Sequence, residues 1–185
     1  MIRYYITDGQ ALGDRRSLLD NIARKLAAGI EMIQLRERHL SARELYDLTR
    51  SVLQLPNPNG TLILVNDRVD VAVGAGAHGV HLRSHAISPV LVRRIVPEVF
   101  QIGVSCHDVD DVRRAADEGA SFAVLAPIYP TPGKGPALGL EPLRKAVESA
   151  SIPVLALGGI TAARMEECRQ AGAAGIAGIS MFQSR

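Results

Sequence analysis

Tryptophan is absent from this chain of 185 residues, and aromatic residues make up only 4% of it. Stacking platforms for nucleic-acid bases therefore have little to be built from. Charge of one sign is equally scarce. With 21 Lys and Arg against 19 Asp and Glu, the net charge is +2 and is spread along the sequence, which offers no nucleic-acid surface. No run of 18 apolar residues and no basic-then-apolar leader occurs, so neither a membrane span nor a signal peptide is expected. Cysteine is limited to Cys106 and Cys168, too few for a disulfide framework and at no metal-ligand spacing, which favours a reducing cytoplasm. What is plentiful is apolar sequence: 47% of the chain, enough for one well-buried domain over residues 1–185 and too little for two.

The most informative stretch runs from Val154 to Ser180. Two apolar, glycine-tipped strands lie one helix apart there, and small residues at their ends leave backbone N–H groups available. A parallel (β/α) barrel builds a phosphate cup from its last two strand ends in this way. Gly158 and Gly159 let the backbone approach an anion closely, and Ser180 adds a hydroxyl from the next strand.

A weak internal repeat sets the topology. A helix-ending glycine followed by a short apolar run occurs as AGIEMIQL from Ala28, AGAHGVHL from Ala75, EGASFAVL from Glu118 and AGAAGIAG from Ala171. Successive copies lie roughly two βα units apart, so each gap holds one further strand. TLILVN ending at Asn66, FQIGVS ending at Ser105 and PVLALGG ending at Gly159 fill those gaps, and RYYIT near the start brings the count to eight. The intervening segments are amphipathic. Between Asp14 and Gly29, Leu18, Leu19, Ile22, Ala23 and Leu26 fall on one stripe. Ser41, Asp108 and Thr161 read as N-caps, with Glu44 completing a capping box after Ser41. Strict alternation fits a (β/α)8 barrel or a doubly wound sheet, and the repeat with its terminal phosphate signature favours the barrel. Only Met181 to Arg185 follow Ser180, so the last helix is short or missing and a partner subunit or further chain would cover that face.

In such barrels chemistry sits at the C-terminal ends of the strands. Those ends offer Thr7 and Asp8; Gln34, Arg36, Glu37 and Arg38; Asn66, Asp67 and Arg68; His81, Arg83 and His85; and Ser105, Cys106 and His107. A Pro-broken segment, APIYPTPGKGPALG, then brings Tyr129, Thr131 and Lys134 and reads as a lid with Gly133 and Gly135 as flexible points. Arg36, Arg38 and Lys134, together with glycine amides and hydroxyls, suit substrates carrying more than one phosphate. Asp67 offers a carboxylate to a magnesium ion. Two phosphate regions, a metal carboxylate and a lid suggest displacement of pyrophosphate.

Each residue also has a plainer reading. Asp67 opens a helix and can serve its dipole. Arg36 and Arg38 can pair with Glu37 or Glu44 at the rim, and Lys134 can be a solvated charge. His81 reads as a packed barrel residue and Cys106 as a small buried hydrophobe.

The blocks YYITD (4–8), IQLRER (33–38), LVNDRVDVA (64–72), GVHL (79–82), IGVSCH (102–107), APIYPTPGK (126–134), LALGGIT (155–161) and GISMF (178–182) resemble the thiamin phosphate synthase family, which includes a thiazole tautomerase branch. The resemblance implies a (β/α)8 barrel that joins hydroxymethylpyrimidine diphosphate to a thiazole phosphate, releasing pyrophosphate. It also implies roles: Arg36, Arg38, Asn66 and Lys134 on the diphosphate, Gln34 and Ser105 at the pyrimidine, and Thr131, Gly158, Gly159 and Ser180 around the thiazole phosphate. Asp67 matches a magnesium ligand. The sequence departs from that pattern after GVHL, where synthases usually continue Gly-Gln-x-Asp with the Asp as a second magnesium ligand. Here Arg83, Ser84, His85 and Ala86 follow, and Ala86 cannot bind metal. Gly133 replaces a usual lid Thr, and Pro127 stands where the tautomerase branch has its catalytic His. Three expectations result: a synthase with a weakened magnesium site, a tautomerase using His85 or His107 as acid/base, or a non-catalytic thiazole phosphate or thiamin phosphate binder. A homo-oligomer is credible for any of them.

Overall fold

The computed structural model describes residues 1–183. Its strands are β1 (Ile2–Ile6), β2 (Met32–Leu35), β3 (Leu62–Asn66), β4 (Gly79–Leu82), β5 (Gln101–Cys106), β6 (Phe122–Leu125), β7 (Val154–Leu157) and β8 (Gly175–Gly178). Each pairs in parallel with the next, and β8 returns to β1, with Tyr4 opposite Ala177, to close a barrel. The eight strands read from the sequence are these eight, so the doubly wound alternative falls. The repeat glycines Gly29, Gly76, Gly119 and Gly172 all take positive φ, the conformation that ends a helix and turns the chain into the next strand.

The helices follow the same alternation: α1 (Gly9–Leu12), α2 (Arg15–Ala27), α3 (Ala42–Leu53), α4 (Val69–Ala75), α5 (Pro89–Arg93), α6 (Val109–Asp117), α7 (Leu140–Ser149), α8 (Ala162–Gln170) and α9 (Ser180–Gln183). Asp14, Ser41, Asp108 and Thr161 cap α2, α3, α6 and α8 through their side chains, and the Ser41–Glu44 capping box is complete. Leu18, Ile22 and Leu26 of the α2 stripe are buried, while Leu19 and Ala23 are only half-buried and Asn21 takes a buried place beside them. The short α1 was not legible from periodicity, because four residues are little more than one turn. The described residues close with α9, which packs Phe182 beside the cluster around Tyr5, while Gln183 Nε2 donates to the Asp8 carbonyl at 2.7 Å.

Strand alternation sorts the core into two shells. Tyr4, Ile6, Met32, Leu64, Phe122, Val124, Leu155 and Ala177 fill the barrel interior. Tyr5, Ile33, Leu35 and Ile63 point outward under α2 and α3. Gly103 is an inward position kept empty for its neighbours. A Cβ there would overlap the edge of the Phe122 ring and lie 2.8 Å from His81 Nδ1. Gly103→Ala is therefore expected to cost about 2 kcal/mol through overpacking, read by urea denaturation. Gly135→Ala, where a Cβ meets open space, is expected to change stability by less than about 0.5 kcal/mol.

Candidate active site

The C-terminal strand ends enclose a cavity of ≈ 420 Å³. Gln34, Arg36, Arg38, Asn66, Ser105, Thr131, Lys134, Gly158, Gly159 and Ser180 all line it, so most of the residues singled out in the sequence converge. His85 does not: it is exposed in the turn after β4 and lies outside the lining. Asp67 does not line the cavity either, but the adjoining cleft.

The cavity wall beyond β2 is cationic and unmatched, and Lys134 adds charge from the segment after β6. Among the described residues, Arg36, Arg38 and Lys134 make no ion pair. The acids considered as their partners are used elsewhere. Glu37 is buried, accepting from Thr7 Oγ1 at 2.5 Å and from the Gly9 amide at 3.0 and 2.9 Å, which ties α1 to the end of β2. Glu44 is held in its capping box. Thr7 and Asp8 are likewise structural, Thr7 buried on Glu37 and Asp8 capping α1. Partial burial and then the neighbouring Arg38 push the Arg36 pKa down. A guanidinium stays protonated nonetheless, so this wall carries charge that only an incoming anion can match.

Beneath that wall runs a polar chain that sequence reading missed. Gln34 Nε2 donates to Tyr4 Oη at 2.9 Å, and Tyr4 Oη meets His81 Nδ1 at 3.2 Å. His81 Nε2 meets Ser105 Oγ at 2.9 Å. Burial drives the His81 pKa down to about 3, against a smaller upward pull from Asp67, so the imidazole is neutral. The Tyr4 hydroxyl, already an acceptor from Gln34, gives its hydrogen to Nδ1. Nε2 then carries the ring hydrogen and donates to Ser105. The Ser105 hydroxyl is thereby left to donate into the cavity. His81 is thus more than a packed residue, and its signal was present: Asn66 and His81 are register partners, both polar at inward strand-end positions.

The opposite wall is glycine. Gly158 and Gly159 take φ of 102° and 63°. A Cβ on Gly158 would lie 2.9 Å from Pro127 Cα and 3.1 Å from Thr131 Oγ1, and one on Gly159 would lie 2.8 Å from Tyr129 Cβ. Only glycine fits either position, and the Gly159 amide donates to no protein acceptor among the described residues. The segment after β6 is fastened at its root: Leu138 N donates to the Pro127 carbonyl at 2.8 Å and Gly139 N to the Ile128 carbonyl at 2.9 Å. Tyr129 faces away from the cavity, donating to Glu167 Oε2 at 2.7 Å under the Arg164 guanidinium, 4.5 Å above its ring. Pro130 and residues 132–137 remain exposed, with Lys134 among them.

Asp67 does not serve a helix end. It takes a left-handed φ of 58°, unusual outside glycine, and ion-pairs with Arg83, while its amide donates to the His81 carbonyl at 2.8 Å. His107 lines the cavity rim and donates from Nδ1 to the Ala126 carbonyl at 3.0 Å. Cys106 is buried, and burial pushes its thiol up to about 12, in keeping with a small hydrophobe.

Fold and site together define a (β/α)8-barrel protein with a cationic cavity facing a glycine cup at its strand ends. The sequence profile described as thiamine monophosphate synthase matches residues 3–182. The chain is 40% identical to thiamine-phosphate synthase of Roseiflexus sp. (strain RS-1), over 97% of this chain and 77% of that one. It is also 40% identical to thiamine-phosphate synthase of Methanoculleus marisnigri, over 96% and 85%. Among solved structures, thiamine phosphate pyrophosphorylase from Pyrococcus furiosus superposes with a TM-score of 0.87 at 32% identity, covering 100% of this chain and 88% of that one. The chain belongs to the thiamine monophosphate synthase family.

The buried neutral imidazole has a consequence for stability. His81 titrates near 6.5 when unfolded and about 3 when folded, so between those values the unfolded chain binds more protons. Stability therefore rises with pH across that window, by up to about 1.4 kcal/mol per pH unit from this group. His78, also pushed down by burial, adds to the same slope. Denaturant unfolding from pH 4.5 to 7 should show a shallower slope for His81→Gln than for wild type; an unchanged slope would contradict the buried neutral assignment.

Proposed function

We propose that this chain joins hydroxymethylpyrimidine diphosphate to a thiazole phosphate, forming thiamin phosphate and pyrophosphate. The observation that carries this reading is the pairing, across one cavity, of unmatched cations with a glycine cup. Each can take one of the two phosphorylated substrates, and family membership supplies the reaction. Gly158, Gly159, Ser180 and Thr131 take the thiazole monophosphate through amides and hydroxyls. Arg36, Arg38, Asn66 and Lys134 take the diphosphate. Ser105, aimed by neutral His81, and Gln34 hold the pyrimidine ring.

The chemistry then needs no protein nucleophile. The bond between the pyrimidine methylene carbon and the diphosphate oxygen breaks, and its electron pair leaves with pyrophosphate. The thiazole nitrogen lone pair forms the new bond to that carbon. Arg36, Arg38 and Lys134 stabilise the charge that builds on the leaving oxygen. No proton has to move, which fits a site whose inner histidine is held neutral. For the tautomerase reading, His85 lies outside the cavity, while His107 stands at its rim with Nδ1 held on the Ala126 carbonyl.

The resemblance implies a magnesium ion on Asp67. Its carboxylate is already against Arg83, and residue 86, where the family pattern has a second carboxylate, is Ala. This donor set does not fit a magnesium ion held by the protein, so the steps above run through none. No helix among the described residues is long and apolar enough to cross a membrane. We assign the enzyme to the cytoplasm, in keeping with two free buried cysteines.

The test is direct. Purified protein mixed with both substrates should yield thiamin phosphate, read as its oxidised fluorescent product, together with one pyrophosphate per turnover. Lys134→Ala should lower kcat by roughly a hundredfold with Tm unchanged. Folded protein that binds thiazole phosphate without turnover would instead establish the binder reading.

A further inference from the structure

The cavity lining contains four cationic side chains, Arg36, Arg38, Arg83 and Lys134, and no carboxylate. The two acids of the adjoining cleft, Glu37 and Asp67, are already engaged. Arg83 alone of the ion-paired cations lines both spaces. Its position is built rather than incidental. β4 ends at Leu82, so Arg83 leaves the strand directly at the rim. On the neighbouring strand end, the left-handed turn at Asp67 spends backbone energy to turn a mostly buried carboxylate (18% exposed) toward that guanidinium. Asp67 takes one end of the guanidinium's five-donor fork, and the Arg83 side chain, 63% exposed, keeps its remaining N–H groups for an anion at the cavity rim.

A carboxylate that holds a divalent cation against a diphosphate does two things: it places positive charge beside the phosphates and keeps that charge from moving. The Asp67–Arg83 pair does both with a side chain. We propose that Arg83, oriented by Asp67, binds the diphosphate group directly, so that this protein binds diphosphate without a divalent metal. This rests on the proposed function for the identity of the diphosphate but not for its binding. Arg83 is the substrate-contacting residue in this arrangement and Asp67 its positioning residue. The remaining cations, Arg36, Arg38 and Lys134, complete the neutralisation of a group carrying several negative charges.

The experiment is calorimetric titration of inorganic pyrophosphate into the full chain, in EDTA and separately in excess magnesium. Wild type should bind in EDTA, with a Kd within about threefold of that in magnesium. Arg83→Gln should weaken binding in EDTA by about tenfold or more. Asp67→Asn, which frees the guanidinium without removing it, should weaken it less. Arg68→Gln serves as the charge control, because Arg68 is paired with Asp70 and lines only the cleft; it should leave the Kd unchanged. Tm of each variant checks folding. Binding that appears only with magnesium and is lost in Asp67→Asn would overturn the proposal. So would an Arg83→Gln variant that is folded and binds like wild type in EDTA. Either result would leave thiamin phosphate formation standing, whereas absent turnover with Arg83-dependent binding in EDTA would remove the proposed reaction and keep this site.

Discussion

Everything at this site depends on the pairing of β8 with β1. Closing the sheet brings eight parallel strands to a common rim, so residues far apart in sequence meet at strand ends, with Thr131 and Lys134 added from the segment after β6. Closure also fixes orientation. Once Tyr4 stands opposite Ala177 and Asn66 opposite His81, strand alternation decides which side chains face the interior and which face the helices. A slip of one residue in any strand would send the rim's polar groups outward into the helical shell.

On that frame the cavity divides its work by charge. Acids are kept out: Glu37 is consumed holding α1, Glu44 in a cap, and Asp67 on Arg83. Cations stay unmatched at the rim, while the interior beneath them is neutral and fully hydrogen-bonded from Gln34 to Ser105. Positive charge without partners costs stability in the empty protein, and an anionic ligand recovers it on binding. Glycine does the complementary work on the far wall, where the approach of Pro127 and Tyr129 leaves no room for a Cβ.

The fold was legible because its signals are repetitive. Glycines recurring at the same point of each unit, short Val/Ile/Leu strands and clear N-caps all point to one alternation, and all eight strands lie where they were read. The rim was legible for a related reason: strand ends are easy to find, so Arg36, Asn66, Ser105 and Gly158 follow from topology. What sequence could not give was partnership. Nothing in a one-dimensional reading says that Glu37 turns away from Arg36 to bind the Gly9 amide, or that Asp67 spends its carboxylate on Arg83. His81 and Tyr4 were missed because a strand-interior polar residue looks like packing until register shows that it lies under the rim. His85 was over-read, since closeness in sequence to a rim residue does not place a turn residue in the cavity.

The central claim is that two anions occupy opposite walls of one cavity. A crystal structure of the protein with thiamin phosphate and pyrophosphate bound together tests it most directly. The account predicts the monophosphate on the Gly158, Gly159 and Ser180 side, and pyrophosphate against Arg36, Arg38, Arg83 and Lys134. Pyrophosphate in the glycine cup, or either ligand bound outside the barrel mouth, would contradict it.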